Sequence, residues 1–207
     1  MSSALAIEEG IVSIEEYLAA EEVSEYKHEY HDGYIYAMAG GTPRHADVIG
    51  NVIAAFIVQL RGHRCRGSSG EQRIHVEKSN RLLYPDFVVK CPPEKYSPRD
   101  KDALTNPALV VEVLSPGTSD YDHVGKFELY AQIPELRDYV LVEQSRILVE
   151  HYQRGEGESW ILRRYNMRED ALKIPNLEIE VPLDEIYEGI EVPSGLLPLN
   201  IIATDAE

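Results

Sequence analysis

The chain has 207 residues, 43% of them hydrophobic, which suffices for one well-buried domain but not for two. Its formal net charge is −16, from 20 basic and 36 acidic side chains, so its overall field repels free nucleic acid at long range. No apolar run approaches the roughly 20 residues of a membrane span, and residues 1–10 lack the pattern of a secretory signal. We therefore expect one domain over residues 1–192, a C-terminal tail over residues 193–207, no membrane contact and a cytoplasmic location.

The first predicted elements are a short helix and a hairpin. Ser13 and Glu16 form a capping box, so a helix should follow Ser13 and run to about Glu22. Residues 29–39 predict a β-hairpin, because β-compatible tyrosines flank the strong turn signal Asp32-Gly33.

A long helix is the clearest element of the chain, since apolar side chains recur at helical spacing over residues 44–60. Residues 66–70 predict a loop, and residues 91–107, which are Pro-rich and charged, predict an exposed excursion. Other segments alternate in polarity or are continuously apolar, as β-strands are. These predicted strands are 72–76, 84–90, 108–114, 138–143, 146–153, 160–165 and 177–181.

The strand at 108–114 is apolar except for one charge, which is typical of the centre of a sheet. The next helix should begin at Thr118 or Ser119 and end near Ile133. Residues 183–188 predict a terminal helical turn. The fold class that follows is α/β, or mixed α+β, with a central mixed β-sheet flanked by at least two helices.

The only cysteines, Cys65 and Cys91, have no CxxC spacing. This predicts neither a disulfide framework nor a zinc site, and it makes a reducing compartment the default.

Asp86, Glu112 and Lys126 form the most informative constellation. Each carboxylate lies at the end of, or inside, an apolar β-like run, and the lysine follows on a predicted helix. Carboxylates hold a hard cation through oxygen. The cation polarises a phosphate and lowers the pKa of bound water, while a lysine orients that water or stabilises developing charge. The sequence therefore predicts metal-assisted phosphodiester hydrolysis.

Each of these residues also has a structural interpretation. A charge inside a buried strand must be paired or metal-bound, so Glu112 could serve a structural ion pair. Asp86 after a proline could be a turn residue. Asp122, Lys126 and Tyr130 are spaced at four and form one stripe, so an exposed Asp122–Lys126 ion pair is the alternative for the lysine. Another helix face, with Val124, Phe127 and Ala131, should pack on the sheet.

The order Pro85-Asp86, then Glu112-Val113-Leu114-Ser115-Pro116, then Asp122, Lys126 and Tyr130 resembles the Uma-two family of bacterial restriction-endonuclease-like proteins. That family belongs to the PD-(D/E)xK nuclease superfamily, whose fold is a restriction-endonuclease-like mixed sheet flanked by helices. The likeness also covers Glu29, Gly33, His45 and residues 138–142, and it spans most of residues 11–190.

The superfamily carries its lysine two residues after the glutamate, where this chain has Leu114. The resemblance implies that Lys126, arriving from the following helix, places its ammonium in the same space. It also implies that Glu29 completes the metal site or orients a ligand, with a solvated strand-edge charge as the alternative. His45 has a helix-cap role as its alternative, and Tyr130 a core position. The accessory candidates are His45, Asp122, Tyr130 and Ser115.

We interpret the chain as an Mg²⁺-dependent DNA endonuclease, with Mn²⁺ as a substitute. Asp86 and Glu112, helped by the carbonyl of Val113, should bind the ion, and Lys126 should position water. The alternatives are a degenerate nuclease-fold binding module and a metal hydrolase of another phosphoester. DNA contact is expected at a small basic rim whose candidates are Arg44, Arg61, Arg64 and Arg66.

A homodimer is expected as well, because two chains related by a twofold axis most simply cut both strands of a duplex. The candidate interface is formed by the apolar-rich strands after Asp138 and by the strand containing Trp160.

Overall fold

The computed structural model describes residues 11–38, 40–115, 117, 119 and 121–193. Thr118, one of the two predicted helix starts, and the tail from residue 194 lie outside these residues. Within them, the helices are α1 (Ile14–Val23), α2 (Pro43–Gln59), α3 (Phe127–Tyr130) and α4 (Leu183–Ile186). A π-helical segment, Tyr121–Lys126, leads directly into α3 and is called the π-turn below.

The strands carry the larger part of the fold. In chain order they are β1 (His28–His31), β2 (Tyr34–Ala37), β3 (Arg66–Ser69), β4 (Ile74–Val76), β5 (Arg81–Leu83), β6 (Phe87–Lys90), β7 (Leu109–Leu114), β8 (Asp138–Glu143), β9 (Val149–Arg154), β10 (Trp160–Tyr165), β11 (Ala171–Ile174) and β12 (Ile179–Pro182).

A six-stranded mixed sheet with the order β10-β9-β8-β7-β6-β3 forms the centre of the molecule. Strands β7 and β8 are parallel, and the π-turn and α3 lie in the crossover between them. All six residues of β7 are buried, as expected for a central strand. The predicted central mixed sheet with flanking helices is confirmed.

The two faces of this sheet carry separate apolar clusters. One face packs on α2, β12 and α4 through side chains that include Phe87, Val111 and Val140. The other face packs on the four-stranded sheet β2-β1-β5-β4 and on α3, through Val88, Val110 and their neighbours. Glu112 and its partners Glu29, Lys126 and Tyr130 lie on this second face, whereas His45 lies on α2, on the first.

The local signals at the N-terminal part formed as predicted. Ser13 and Glu16 cap α1 reciprocally, with the Ser13 N–H donating to Glu16 Oε2 at 2.8 Å. Asp32 and Gly33 both have positive φ values, 47° and 100°, which suits the tight turn between β1 and β2. Thr42 caps α2 by accepting the His45 N–H at 3.2 Å.

Four local predictions were wrong. Residues 66–69 form β3 rather than a loop, because pairing with β6 and packing under α2 decide their state. A β-carbon at Gly67 would overlap the Phe87 ring, which explains the small residue there. Residues 84–86 precede β6 instead of belonging to it, while β5 and β11 were not predicted. The segment 91–107 is not wholly exposed, since Ala103 and Leu104 are buried.

The expectation of unpaired cysteines was also wrong, because Cys65 and Cys91 form a disulfide. Their partnership follows from sheet register: Arg66 pairs with Lys90, so the residues that flank this pair face each other. A spacing rule cannot detect a contact between residues 26 positions apart that depends on strand pairing.

Within the described residues, no helix combines the length and the apolarity that crossing a membrane requires.

Candidate active site

Glu112 is the charged residue on the inner face of β7. Side chains alternate along a strand, so Glu112 shares its face with Val110 and Leu114, and only 3% of it is exposed. Its Oε1 accepts a hydrogen bond from the Tyr130 hydroxyl at 3.1 Å and an ion pair from Lys126 Nζ at 3.1 Å. The carboxylate is therefore buried and already held by two donors.

Asp86 lies in the bend just before β6, at the point where β6 stops pairing with β7. Its Oδ2 accepts the Val113 N–H at 2.7 Å, in place of the backbone carbonyl that a longer β6 would supply. Since the N–H and C=O of one strand residue point to the same neighbour, the Val113 carbonyl faces this carboxylate too. A β-carbon at Gly70 would lie 3.3 Å from the Pro85 carbonyl oxygen, so a glycine suits the position beside this bend.

Lys126 reaches the site from the π-turn. Its Nζ lies 3.1 Å from Glu112, 3.3 Å from Asp122 and 3.8 Å from Glu29. The side chain is buried, so the alternative of an exposed Asp122–Lys126 pair does not hold. Asp86 is not among its ion-pair partners in the described residues. The Lys126 ammonium therefore pairs with Glu112 rather than with Asp86.

The predicted stripe on the helix exists, but its helical geometry is not regular. Asp122, Lys126 and Tyr130 all point to the site. Phe127 packs on the ring of Tyr152 at 4.8 Å, as predicted for the sheet-facing side. Val124 was predicted on that side and is 59% exposed, because the π-turn shifts the angle between successive side chains.

Burial and crowding of charge shift the pKa values of the site. Burial raises the pKa of Asp86, with Lys126 and a backbone N–H opposing that effect. Burial also raises the pKa of Glu112 well above its usual value, with Lys126 opposing and the charge of Asp86 adding to it. The pKa of Lys126 is raised in spite of burial, because Glu112, Glu29 and Asp122 surround it. The site therefore holds an ammonium among carboxylates that repel each other.

Glu29 on β1 closes the site from the four-stranded sheet. Burial alone would raise its pKa, but Lys126 and His31 outweigh burial and lower it. His31 Nε2 lies 3.1 Å from Glu29 Oε2, while Oε1 is buried and has no hydrogen-bond partner among the described residues. The alternative of a solvated strand-edge charge is excluded, since only 7% of Glu29 is exposed.

His45 approaches the opposite side, from the first turn of α2. Burial raises the pKa of Asp86, and the charge of His45 is among the effects that oppose this rise. His45 Nδ1 is buried and has no hydrogen-bond partner within the described chain. Gly41 makes room for the ring, because a β-carbon there would overlap it.

The remaining residues predicted for the site or for DNA contact do not all lie near the site. Ser115 directly follows β7, and its carbonyl accepts the Ser119 N–H. Arg44 adjoins His45 and is exposed near the site. The other three predicted rim arginines follow the far end of α2, which is about 25 Å long at 1.5 Å per residue. These are Arg61, Arg64 and Arg66. The structure therefore does not bring the predicted basic rim together.

The site also contains residues that sequence reasoning did not select. Tyr121, at the start of the π-turn, places its ring 5.9 Å from Lys126 Nζ and its hydroxyl 3.5 Å from His31. His123 connects the π-turn to β9 through a 2.7 Å contact with Glu150. The only signal in the sequence was that both residues lie close to Asp122 and Lys126. Residue spacing alone did not distinguish them from their neighbours.

The donor set suits a hard divalent cation bound mainly by oxygen. Three carboxylates lie within 4 Å of one ammonium, and the Asp122 Oδ1 and Glu29 Oε1 atoms are buried without hydrogen-bond partners in the described residues. Within the described ranges, no three His, Cys, Asp or Glu side chains form a ready-made metal-binding group. A Mg²⁺ ion needs fewer, since it is commonly held by one or two carboxylates together with waters and phosphate oxygens.

The chain matches the model of the Uma2 family, described as "Putative restriction endonuclease", over residues 14–184. It is 36% identical over 182 residues to the uncharacterized Synechocystis sp. protein slr1290, covering 86% of this chain and 93% of that protein. A second Synechocystis sp. protein, sll1609, is 31% identical over 152 residues, with 73% and 86% coverage. This protein belongs to the Uma2 family.

A solved structure shares the fold. The crystal structure described as a "putative nuclease belonging to DUF820" from Anabaena variabilis superposes with a TM-score of 0.70. The match covers 87% of this chain and 99% of that chain, at 13% sequence identity. Family and fold together support the class of restriction-endonuclease-like nucleases.

Proposed function

We propose that this protein is a Mg²⁺-dependent endonuclease that hydrolyses phosphodiester bonds of DNA, with Mn²⁺ able to substitute. One observation carries the proposal: Lys126 Nζ lies 3.1 Å from Glu112, and Asp86 accepts the N–H of Val113, the next residue of β7. The family match supports it independently, since the motif residues lie within the matched range.

The roles of the protein groups follow from their positions. Asp86, Glu112 and the Val113 carbonyl would hold the ion, because Asp86 contacts Val113, which directly follows Glu112 in β7. When bound, Mg²⁺ would polarise a phosphate oxygen and lower the pKa of the attacking water. Lys126 donates hydrogen bonds that orient this water and stabilise charge that develops on the phosphate.

The surrounding groups keep Lys126 in place. Tyr130 donates to Glu112, and Asp122 and Glu29 keep the ammonium charged by raising its pKa. Tyr139 fixes the π-turn by donating its hydroxyl proton to the Asp122 carbonyl at 2.8 Å. The lysine is therefore preorganised before any substrate binds.

Cleavage of supercoiled plasmid and of single-stranded DNA by purified protein tests the proposal, with Mg²⁺, with Mn²⁺ and with chelator. Asp86→Asn, which is nearly isosteric, should abolish metal-dependent cleavage. Asp102→Asn, an exposed carboxylate of the 91–107 segment, is the matched control and should cleave like wild type. Equal nicking by wild type and Asp86→Asn would indicate a contaminating nuclease and contradict the proposal.

A non-catalytic binding module on the same fold is the second candidate. It is favoured by the two donors that already satisfy Glu112 without a cation, and by the net charge of −16. The same assay separates the two functions, since a binding module would retain DNA without cutting it in Mg²⁺.

We further propose that the enzyme is a homodimer that pairs through β10. Strand β8, one of the predicted interface strands, lies inside the sheet and is buried, so it offers no surface. β10 is the outer edge of the six-stranded sheet, with Ile161 48% and Leu162 41% exposed. Light scattering at micromolar concentration should give twice the chain mass, and Leu162→Lys should give the monomer. A monomeric wild type would refute this interface.

A further inference from the structure

Arg81 is an arginine that is neither paired nor fully exposed. Most arginines in the described part of the chain pair with a carboxylate, an amide or carbonyls, while the unpaired ones other than Arg81 are exposed to solvent. The unpaired exposed ones are Arg44, Arg61, Arg64, Arg66 and Arg137. Arg81 is partly buried, forms no ion pair in the described residues, and its Nε is buried without a hydrogen-bond partner. A partly buried guanidinium without a partner is costly, unless a ligand supplies one.

The register of the four-stranded sheet directs Arg81 toward the candidate active site. Arg81 on β5 pairs with His31 on β1, so their side chains stand on the same face. Glu29, two residues before His31, shares that face and contacts Lys126. Leu83, two residues after Arg81, belongs to the apolar cluster between the two sheets. Arg81 therefore borders the same inter-sheet cleft as the carboxylates.

Tyr121 supplies a second uncommitted donor beside it. The Tyr121 hydroxyl lies 3.5 Å from His31 Nε2, and His31 pairs with Arg81 across β1 and β5. His31 Nε2 lies 3.1 Å from a Glu29 oxygen, which can only accept, so this nitrogen carries the proton. Because this nitrogen already carries a proton, the Tyr121 hydroxyl 3.5 Å away cannot donate to it. The hydroxyl proton can therefore be donated to a ligand.

The Ser79 hydroxyl is a third buried group without a hydrogen-bond partner in the described chain, two residues before Arg81. Three donors, one of them a fork of N–H groups, match the oxygens of a phosphate. The carboxylates that surround Lys126 form no ion pair with Arg81 in the described residues.

We propose that Arg81, with Tyr121 and Ser79, forms a subsite for a backbone phosphate of the nucleic-acid strand, next to the one that is cleaved. This subsite rests on the proposed function, and it identifies residues by which the enzyme would contact its DNA substrate. It places strand recognition on the four-stranded sheet, rather than on the distant arginines after α2. The chain has a net charge of −16 and therefore lacks a broad basic surface. One such local phosphate contact would still position the DNA strand relative to the site.

Fluorescence anisotropy of labelled DNA in Ca²⁺ tests the subsite, because binding is then measured without cleavage. Arg81→Ala should weaken binding at least about tenfold and lower the salt slope by about one. Arg61→Ala removes the same charge far from the site and should stay within about twofold of wild type. Tyr121→Phe and Arg81→Lys, which keeps the charge but not the fork, should each weaken binding about threefold.

The outcomes are distinct. Equal effects of Arg81→Ala and Arg61→Ala would overturn the subsite, as would a wild-type protein that does not bind DNA in Ca²⁺. If Arg81→Ala does not fold, Arg81→Lys and Tyr121→Phe provide the test. Wild-type DNA affinity in both variants would then overturn the subsite. Specific loss of binding in these variants, together with no cleavage by wild type in Mg²⁺, would support the subsite and contradict the nuclease.

Discussion

Two buried ion clusters of this protein differ in whether their charges balance. In the first, Arg73 donates to both oxygens of Asp100, at 2.6 and 3.2 Å, and to the Tyr84 hydroxyl at 3.0 Å. In the second, Lys126 faces Glu112, Asp122 and Glu29.

The first cluster matches one cation with one carboxylate in a bidentate pair, which is a structural solution. The second sets three carboxylates against one ammonium, and two of their buried oxygens have no hydrogen-bond partner in the described residues. Such an arrangement is costly for folding, and it is found where a ligand completes the site. Charge balance and hydrogen-bond satisfaction, rather than burial alone, distinguish a functional cluster from a structural one.

The strongest test of this difference replaces Lys126. Lys126→Met should lower the cleavage rate roughly 10²–10³-fold, because it removes a donor that acts mainly in the transition state. DNA affinity in Ca²⁺ should change only a few-fold. Lys90→Met, on β6 and outside the site, is the control. A variant that loses affinity but cleaves bound DNA at the wild-type rate would assign Lys126 to binding instead.

The structural cluster should respond in the opposite way. Arg73→Met should lower the free energy of unfolding by about 3 kcal/mol, since it leaves Asp100 buried and unpaired. The cleavage rate of the folded fraction should stay at the wild-type value. Urea denaturation measures the first quantity and single-turnover cleavage the second. A large loss of rate at full folding would show that the two clusters are not independent.

A divalent cation should stabilise only the unbalanced cluster. At a concentration 100 times its dissociation constant, Mg²⁺ or Ca²⁺ would add about 2.7 kcal/mol and raise the melting temperature by several degrees. Asp86→Asn and Glu112→Gln should each remove this stabilisation, whereas Arg73→Met should retain it. Unchanged metal affinity in Glu112→Gln, measured by calorimetry, would remove Glu112 from the metal site.

The smallest expected effect concerns the π-turn that carries Lys126. His123 contacts two acceptors at 2.7 Å, the Glu150 carboxylate and the Ser119 carbonyl, so both ring nitrogens donate and the ring is an imidazolium. The hydrogen bond to Glu150 raises the pKa of His123 above its usual value. Glu150 also pairs with Arg164 on β10, which holds the carboxylate in place.

A raised folded-state pKa fixes the sign of the pH effect. The stabilisation by His123 should be complete below its unfolded-state pKa and lost as pH rises through the folded-state value. His123→Gln should therefore cost up to about 1 kcal/mol at acidic pH and little at alkaline pH. A pH-independent cost of His123→Gln would mean that the charge of the ring is irrelevant.

The sequence by itself determined the features that depend on local chemistry. Capping of α1, the Asp32-Gly33 turn, the buried face of α2 and the apolar strand β7 follow from residue type and spacing. The candidate site residues Asp86, Glu112 and Lys126 were also visible there, because a carboxylate inside a buried strand needs a partner.

Only the tertiary structure decided which distant groups meet. The Cys65–Cys91 bond, strand β3, the separation of three arginines from the site and the partnerless Arg81 all depend on strand register and on the length of α2. Short polar strands such as β3 carry no periodic signal, and their state is set by neighbours far away in the chain. Register and packing are properties of the whole fold, so no local pattern contains them.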